Sequence, residues 1–161
     1  MNLADAKDGG ARSVTAYADH ISVTAGGAGD NAEASGPYVD RQGSDYGPAQ
    51  SAKLVITYAA TLAAGATMTI AANIQDATAS DGTGVDDFGT AYAAATIATG
   101  ETGGSTETGT VEFDFDLSGA NRYLRSQITP NLSAANTDTA HISATWVFFG
   151  AEKAPISASV I

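Results

Sequence analysis

The stretch Gly109-Thr110-Val111-Glu112-Phe113-Asp114-Phe115-Asp116-Leu117-Ser118 alternates without a break. Val111, Phe113, Phe115 and Leu117 fall on one side, and Glu112, Asp114 and Asp116 on the other. A period of two residues is that of a β-strand with one face buried and one face wet. Three other stretches repeat it. In Ser51–Tyr58, Leu54, Ile56 and Tyr58 oppose Lys53, Val55 and Thr57. In Thr67–Gln75, Met68, Ile70, Ala72 and Ile74 share a face. In Ala140–Gly150, Ile142, Ala144, Trp146 and Phe148 oppose His141, Ser143, Thr145 and Val147. Fainter strands are expected at Asp19–Thr24 (Ile21, Val23), Thr90–Thr99 (Tyr92, Ile97) and Asn121–Thr129 (Leu124, Ile128). Between them lie glycine-rich connections: Gly26–Asp30, Ala64–Ala66, Asp81–Gly84 and Thr102–Ser105. Such segments turn the chain at little steric cost. The pattern predicts an all-β fold of about six to eight short antiparallel strands, a β-sandwich or jelly roll.

Residues 1–161 are expected to form a single domain, since no linker rich in proline or charge divides them. Residues 1–12 lack periodicity and read as an N-terminal arm; 151–161 read as a C-terminal arm. The latter ends Pro155-Ile156-Ser157-Ala158-Ser159-Val160-Ile161, apolar for a free terminus. It is expected either to pair along a sheet edge or to dock on a neighbour.

The chain has 161 residues, 43% of them hydrophobic and only 16% charged. A chain of this size can bury roughly 70% of its unfolded surface. Eighteen acidic against seven basic residues give a net charge of −11, and the pI is near 4.2. That balance argues against nucleic acid, whose phosphates need Lys and Arg, and against anionic membranes. With no cysteine, disulfides, thiolate catalysis and Cys-ligated metals are excluded. No run approaches the roughly 20 apolar residues of a membrane helix. The start Met1–Asp8 has neither a basic region nor an apolar stretch, so no secretory signal is expected there.

Residues with chemical potential are few. His20 and His141 lie in expected strands without a Gly-x-Ser-x-Gly elbow or metal-ligand spacing, and read as surface or interface histidines. Asp76–Asp87 gathers carboxylates, hydroxyls and glycines; it reads as a solvated loop, with calcium as the alternative. Glu112, Asp114 and Asp116 have the residue types of a glycosidase pair, but alternation alone accounts for them as a face turned to solvent or to a partner. No glycine loop continues into the Lys-Ser/Thr of a phosphate site. Arg122, Tyr123 and Arg125 form the one basic focus. Arg and Tyr are favoured at protein interfaces; the alternative is an ion pair with the acidic strand just before them. Asn131-Leu132-Ser133 matches a glycosylation sequon with no expected secretion signal to give it meaning. Trp146 reads as core. No cofactor is expected.

Three strings carry a resemblance: Ser51–Tyr58, the run Gly65–Thr78, and Gly109–Arg125. They resemble small structural proteins of tailed bacteriophages, and among these the jelly-roll cement, or decoration, proteins on the outside of the head. The resemblance covers most of Gly36 to Pro155. It implies a homotrimer bound to the major capsid protein at three-fold and quasi-three-fold positions of the outer capsid surface, assembled in the host cytoplasm, with no catalytic residues. Interface candidates are then Arg122, Tyr123, Arg125, Ile156, Val160 and Ile161. Two other functions are held beside it. One is a carbohydrate- or receptor-binding module of a head or tail appendage, using exposed loop aromatics such as Tyr38, Tyr46 or Tyr92. The other is a hydrolase using Asp114 and Asp116 or a loop-bound calcium.

Overall fold

The computed structural model of the chain describes residues 13–42, 48–134 and 137–150. They form nine strands: β1 (Val14–Thr24), β2 (Ala34–Ser35), β3 (Val39–Asp40), β4 (Ser51–Leu62), β5 (Thr67–Ala77), β6 (Asp86–Thr99), β7 (Ser105–Asp116), β8 (Tyr123–Leu132) and β9 (Thr139–Phe149). Every pairing is antiparallel. Sheet A has the order β1-β9-β4-β7; sheet B has the order β2-β8-β5-β6, with β3 also on β8. Each of the four strongly alternating stretches is a strand.

The order follows from nested pairing. β5 and β6 make the innermost hairpin. Around it β4 pairs with β7, then β2 and β3 with β8, then β1 with β9. If β2 and β3 count as one broken strand, the chain is a single antiparallel ribbon whose successive pairs fall alternately in the two sheets. That folded ribbon is a jelly roll, the architecture expected from the sequence.

The inward faces meet in one apolar cluster. Leu54, Ile56, Met68, Ile70, Ile74 and Trp146 are fully buried. Trp146 lies near parallel to Phe148 at 5.6 Å and meets Phe115 edge-on at 6.0 Å. In the stretch that decided the fold, Phe115 and Leu117 are buried, whereas Val111 and Phe113 are only half-buried. β7 is the last described strand of sheet A, so no described strand flanks them on one side.

The fainter strands prove longer than expected, and β2 and β3 are new. Gly36, between those two, explains why so short a pair holds. Its N–H donates to the Ser126 carbonyl at 2.9 Å. A Cβ there would lie 2.0 Å from the Ala18 carbonyl oxygen. Only glycine lets the connection press against the β1 bulge between Tyr17 and Asp19.

The sandwich has two distinct ends. At the upper end the connections around 25–33, 63–66 and 100–104 converge with the residues that follow β8 and precede β9. Asp138, 1% exposed, accepts the Ala63 N–H at 2.9 Å, and Gly65 and Gly100 cross-link two turns. At the lower end lie the starts of β1, β4 and β8 and the ends of β7 and β9. There Arg41, 6% exposed, sends its guanidinium into the carbonyls of Ala49, Ala120 and Asn121. The expected arms, 1–12 and 151–161, lie outside the described residues.

Candidate functional site

The outer face of sheet A is a grid set by strand register. Across β1, β9, β4 and β7 its rows read Tyr17–Thr145–Val55–Glu112, then His20–Ser143–Thr57–Thr110, then Ser22–His141–Ala59–Thr108, then Thr24–Thr139–Thr61–Thr106. Most of these side chains are short, and most are hydroxylated or β-branched. They are also tied down. The Thr57 hydroxyl donates to the Ser143 carbonyl at 3.3 Å, Thr61 and Thr106 share a hydroxyl contact of 3.2 Å, and Ser22 Oγ lies 3.2 Å from His141 Nδ1. β-Branched side chains have little rotamer freedom to lose, so such a face is buried against a partner at small entropic cost. Tyr17, 59% exposed, adds one large amphipathic contact at its margin. The sequence reading did not assemble this face. Its signal is a hydroxylated residue at alternate positions of several strands, and only the strand order brings them together.

His20 and His141, expected at the surface, lie on this grid with ring centroids 6.5 Å apart. The Ser22–His141 contact has two members of a hydrolytic triad. Asp19, beside His20 in sequence, instead accepts the His20 backbone N–H through Oδ1 at 2.7 Å. Among the described residues no three His, Asp or Glu side chains converge as metal ligands do.

The acidic strand face is exposed, as alternation requires. Its partner is Lys53 on β4, 2.8 Å from Glu112 and 2.9 Å from Asp114. Those hydrogen bonds hold the Lys53 ammonium above its ordinary pKa. This corrects one expectation: Arg122 and Arg125 do not pair with that strand. β7 and β8 are neighbours in sequence but belong to different sheets. Arg122 instead makes a salt bridge of 2.7 Å to Asp40, which raises its pKa through that hydrogen bond and charge. It also stacks over Tyr123 at 5.3 Å. Arg125 donates to Gln75 Oε1 from Nε at 2.9 Å and from Nη2 at 2.6 Å, and covers Tyr38 at 4.9 Å. Gln75 in turn donates to Asp87 at 2.8 Å. Arg122 and Arg125 thus lie at the start of β8 with separate partners, Asp40 and Tyr123 for one, Gln75 and Tyr38 for the other. Ile156, Val160 and Ile161 lie outside the described residues.

The acidic segment 76–87 is mostly loop, as the sequence reads it: 78–85 connect β5 to β6, and only Asp76, Ala77, Asp86 and Asp87 lie in strands. Asp76 closes β5, is 4% exposed and accepts the Asn121 N–H at 2.6 Å. Asp86 and Asp87 open β6. Between them, Asp81 accepts the N–H and the hydroxyl of Thr83 at 2.9 and 2.7 Å. The carboxylates thus point to separate partners. Tyr38 lies under Arg125, and Tyr92 lies on β6 with its hydroxyl donating to the Asp114 carbonyl at 2.6 Å. Neither is the free loop aromatic expected of a glycan site; Tyr46 lies outside the described residues.

Asp81 and Asp116 have pKa values held down, Asp81 by its Thr83 hydrogen bonds and Asp116 by those from Ser118. A carboxylate whose pKa is lower folded than unfolded stabilises the fold above the ordinary value, about 3.9, and loses that as pH falls through the folded value. Acid titration of stability should therefore decline below about pH 4. Replacing both with asparagine should flatten that decline, as urea unfolding at a series of pH values would show.

No known protein family description and no characterised protein sequence matches this chain. Among solved structures it is similar to the VP2 subviral particle of infectious bursal disease virus, with 13% identity and a TM-score of 0.43, over 88% of this chain and 33% of the other. It is also similar to a chain in the structure of the Gx strain of that virus, with 13% identity and a TM-score of 0.40, over 85% and 32%. The chain spans about a third of the length of these neighbours. The jelly roll is assigned from the strand order above, not from this likeness.

Proposed function

We propose that this chain is a structural protein of a virion, a single-domain, non-catalytic cement protein that binds the major capsid protein on the outer surface of a phage head and strengthens the shell. The observation that carries the reading is the outer face of sheet A: four strands wide and made mostly of short hydroxylated or β-branched side chains. Such a face suits one repetitive task, gripping a second protein surface at low ordering cost. The strand strings that resemble phage cement proteins support the same reading. So does the charge: an excess of eleven negative charges keeps decorated particles apart. Trimerisation would multiply weak single contacts into firm attachment. Arg122, Tyr123 and Arg125 at the start of β8 offer a separate surface for contacts between copies.

The test uses purified virions and heads stripped of the protein. Quantitative mass spectrometry should find copy numbers comparable to those of the major capsid protein. Ser143→Arg places a long charged side chain at the centre of the sheet A grid. It should weaken rebinding to stripped heads at least tenfold, about 1.4 kcal/mol, with the melting temperature unchanged. A few copies per particle, or undiminished rebinding by the variant, would overturn the proposal.

A further inference from the structure

Between β6 and β7 the inner side of the sandwich opens into a cleft. Phe88 and Tyr92 pair with Ile74 and Ala72, both buried core residues, so they point between the sheets. Yet Tyr92 is 38% exposed, and Phe88 is only half-buried. β7 is the last described strand of sheet A, so on this side no described strand covers the gap. The cleft has a volume of about 370 Å³ and is bounded by Phe88, Thr90, Tyr92, Phe115 and Asp116. Its aromatic wall is held in place. Tyr92 packs against Phe113 at 4.9 Å and edge-on against Phe115 at 5.4 Å, and its hydroxyl donates to the Asp114 carbonyl at 2.6 Å. A wall fixed before binding leaves little ordering cost to meet on binding.

The rim of the cleft is acidic. Asp116 lines it. Asp86 pairs with Asp76, one inward position below the Phe88–Ile74 pair, so it shares the face of Phe88. Both carboxylates are exposed, and hydrogen bonds from Ser118 hold the Asp116 pKa down. The basic side chains of the described residues are engaged elsewhere: Lys53 with Glu112 and Asp114, Arg122 with Asp40, Arg125 with Gln75, and Arg41 with three carbonyls. A ring beside a carboxylate is a setting that suits a guanidinium. One face stacks on the ring while the N–H fork reaches the acid, and the methylene stem covers the remaining apolar surface. The chain itself uses this arrangement, since Arg122 stacks over Tyr123 while bridging Asp40.

We propose that this cleft receives an arginine side chain of the protein that the outer face of sheet A grips. The identity of that protein rests on the cement reading above; the chemistry rests on the cleft alone. Continuity favours a single partner for both surfaces. Asp116 lies on the outer face of β7 in the same alternation as Glu112 and Asp114, and it also lines the cleft, so the cleft opens at the margin of the grid. Charge favours a basic partner. With a net charge of −11, this chain is complementary to a positive surface. It disfavours a second copy, whose described arginines already have partners. Aromatic pockets and arginines are also the commonest anchors of protein interfaces.

The probes are blocked tripeptides, acetyl-Gly-Xaa-Gly-amide with arginine, lysine, leucine or glutamate at the centre, titrated into the full-length, isotope-labelled chain. The arginine peptide should shift the amide signals of Phe88, Tyr92 and Asp116 to saturation. It should bind more tightly than the lysine peptide and about tenfold more tightly than the leucine and glutamate peptides. Asp86→Asn combined with Asp116→Asn should weaken the arginine peptide about fivefold, as expected for two exposed charge contacts. Each asparagine keeps an oxygen to accept the Asp87 or Ser118 N–H, so the melting temperature at neutral pH should not change. Leucine or lysine binding as tightly as arginine, or an undiminished affinity in the double variant, would overturn the proposal. In a second arm the double variant should rebind stripped heads about fivefold more weakly than the wild type. Peptide selectivity with undiminished rebinding would overturn the assignment of the arginine to the gripped protein. The peptide arm needs no heads, so a wild-type chain that ignores heads altogether would sink the cement reading separately from the chemistry of the cleft.

Discussion

Replacing Arg41 with methionine is expected to cost about 3–5 kcal/mol of stability, the range for breaking a buried charged network by removing one partner. Arg41 follows β3 directly, and its guanidinium serves three carbonyls. Nη1 donates to Ala49 at 2.6 Å, Nε to Asn121 at 2.7 Å, and Nη2 to Ala120. Its backbone N–H donates to the Arg122 carbonyl, and its carbonyl accepts the Ala49 N–H. One side chain thus joins the chain around 41–50 to the turn between β7 and β8. Methionine fills much of the volume but satisfies none of the three acceptors, and each buried acceptor left unpaired costs about 1–3 kcal/mol. Burial pushes the Arg41 pKa down, while the charge of Asp76 opposes that shift. Without the guanidinium, Asp76 remains buried with the Asn121 N–H but without its cation. Adding Asp76→Asn to Arg41→Met should recover part of the loss at neutral pH. Denaturant unfolding of the single and double variants checks both statements. A loss below 1 kcal/mol would mean that water serves these carbonyls equally well.

The sequence revealed strands most reliably where both flanks and one face are covered. β5 and β9 each lie between two strands, so every second residue must be apolar, and Met68-Ile70-Ala72-Ile74 and Ile142-Ala144-Trp146-Phe148 state the period plainly. β6 is the opposite case. It is an edge strand with several shifts of register against β5, and alanine occupies both its faces, so alternation fades and only Tyr92 and Ile97 stand out. β2 and β3 are two residues each, too short for any period to register. The polar contacts were less legible because the nested ribbon makes them remote. Asp114 and Asp116 are the acids nearest to Arg122 in sequence, yet its partner Asp40 is 82 positions away. The three acceptors of Arg41 are backbone carbonyls, which have no residue-type signature at all. The sheet A face lies between these extremes. Thr106, Thr108 and Thr110 show the outward alternation within one strand, but their place beside Thr57, Ser143 and His20 depends on a strand order that no single stretch contains.

Trp146→Ala should be comparably severe, about 3–5 kcal/mol, the usual cost of emptying a large aromatic site in a core. Trp146 is fully buried on the inner face of β9. It sits opposite Ala16 on β1 and Leu54 on β4, with Phe148 and Phe115 against its ring. Its two cross-strand neighbours are held by backbone ladders and cannot collapse into the space, so most of the cavity should persist. The melting temperature should fall by roughly 10 °C or more, at about 2–4 °C per kcal/mol for a chain of this length. Trp146→Phe separates packing from polarity. Nε1 is buried with no hydrogen-bond partner among the described residues, so phenylalanine removes an unpaired donor along with some volume. The two effects oppose each other, and the net cost should be about 1 kcal/mol or less. Because this is the only tryptophan, circular dichroism or calorimetry must follow the unfolding rather than fluorescence. Thr145 and Val147 flank Trp146 on the opposite face of β9, beside Tyr17 and Lys53. The alanine variant should therefore also loosen the outer grid, and its rebinding to stripped heads should fall at temperatures well below its melting point. The phenylalanine variant should bind as the wild type does. If Trp146→Ala melts low but rebinds normally when cold, the grid's binding does not depend on the core beneath it.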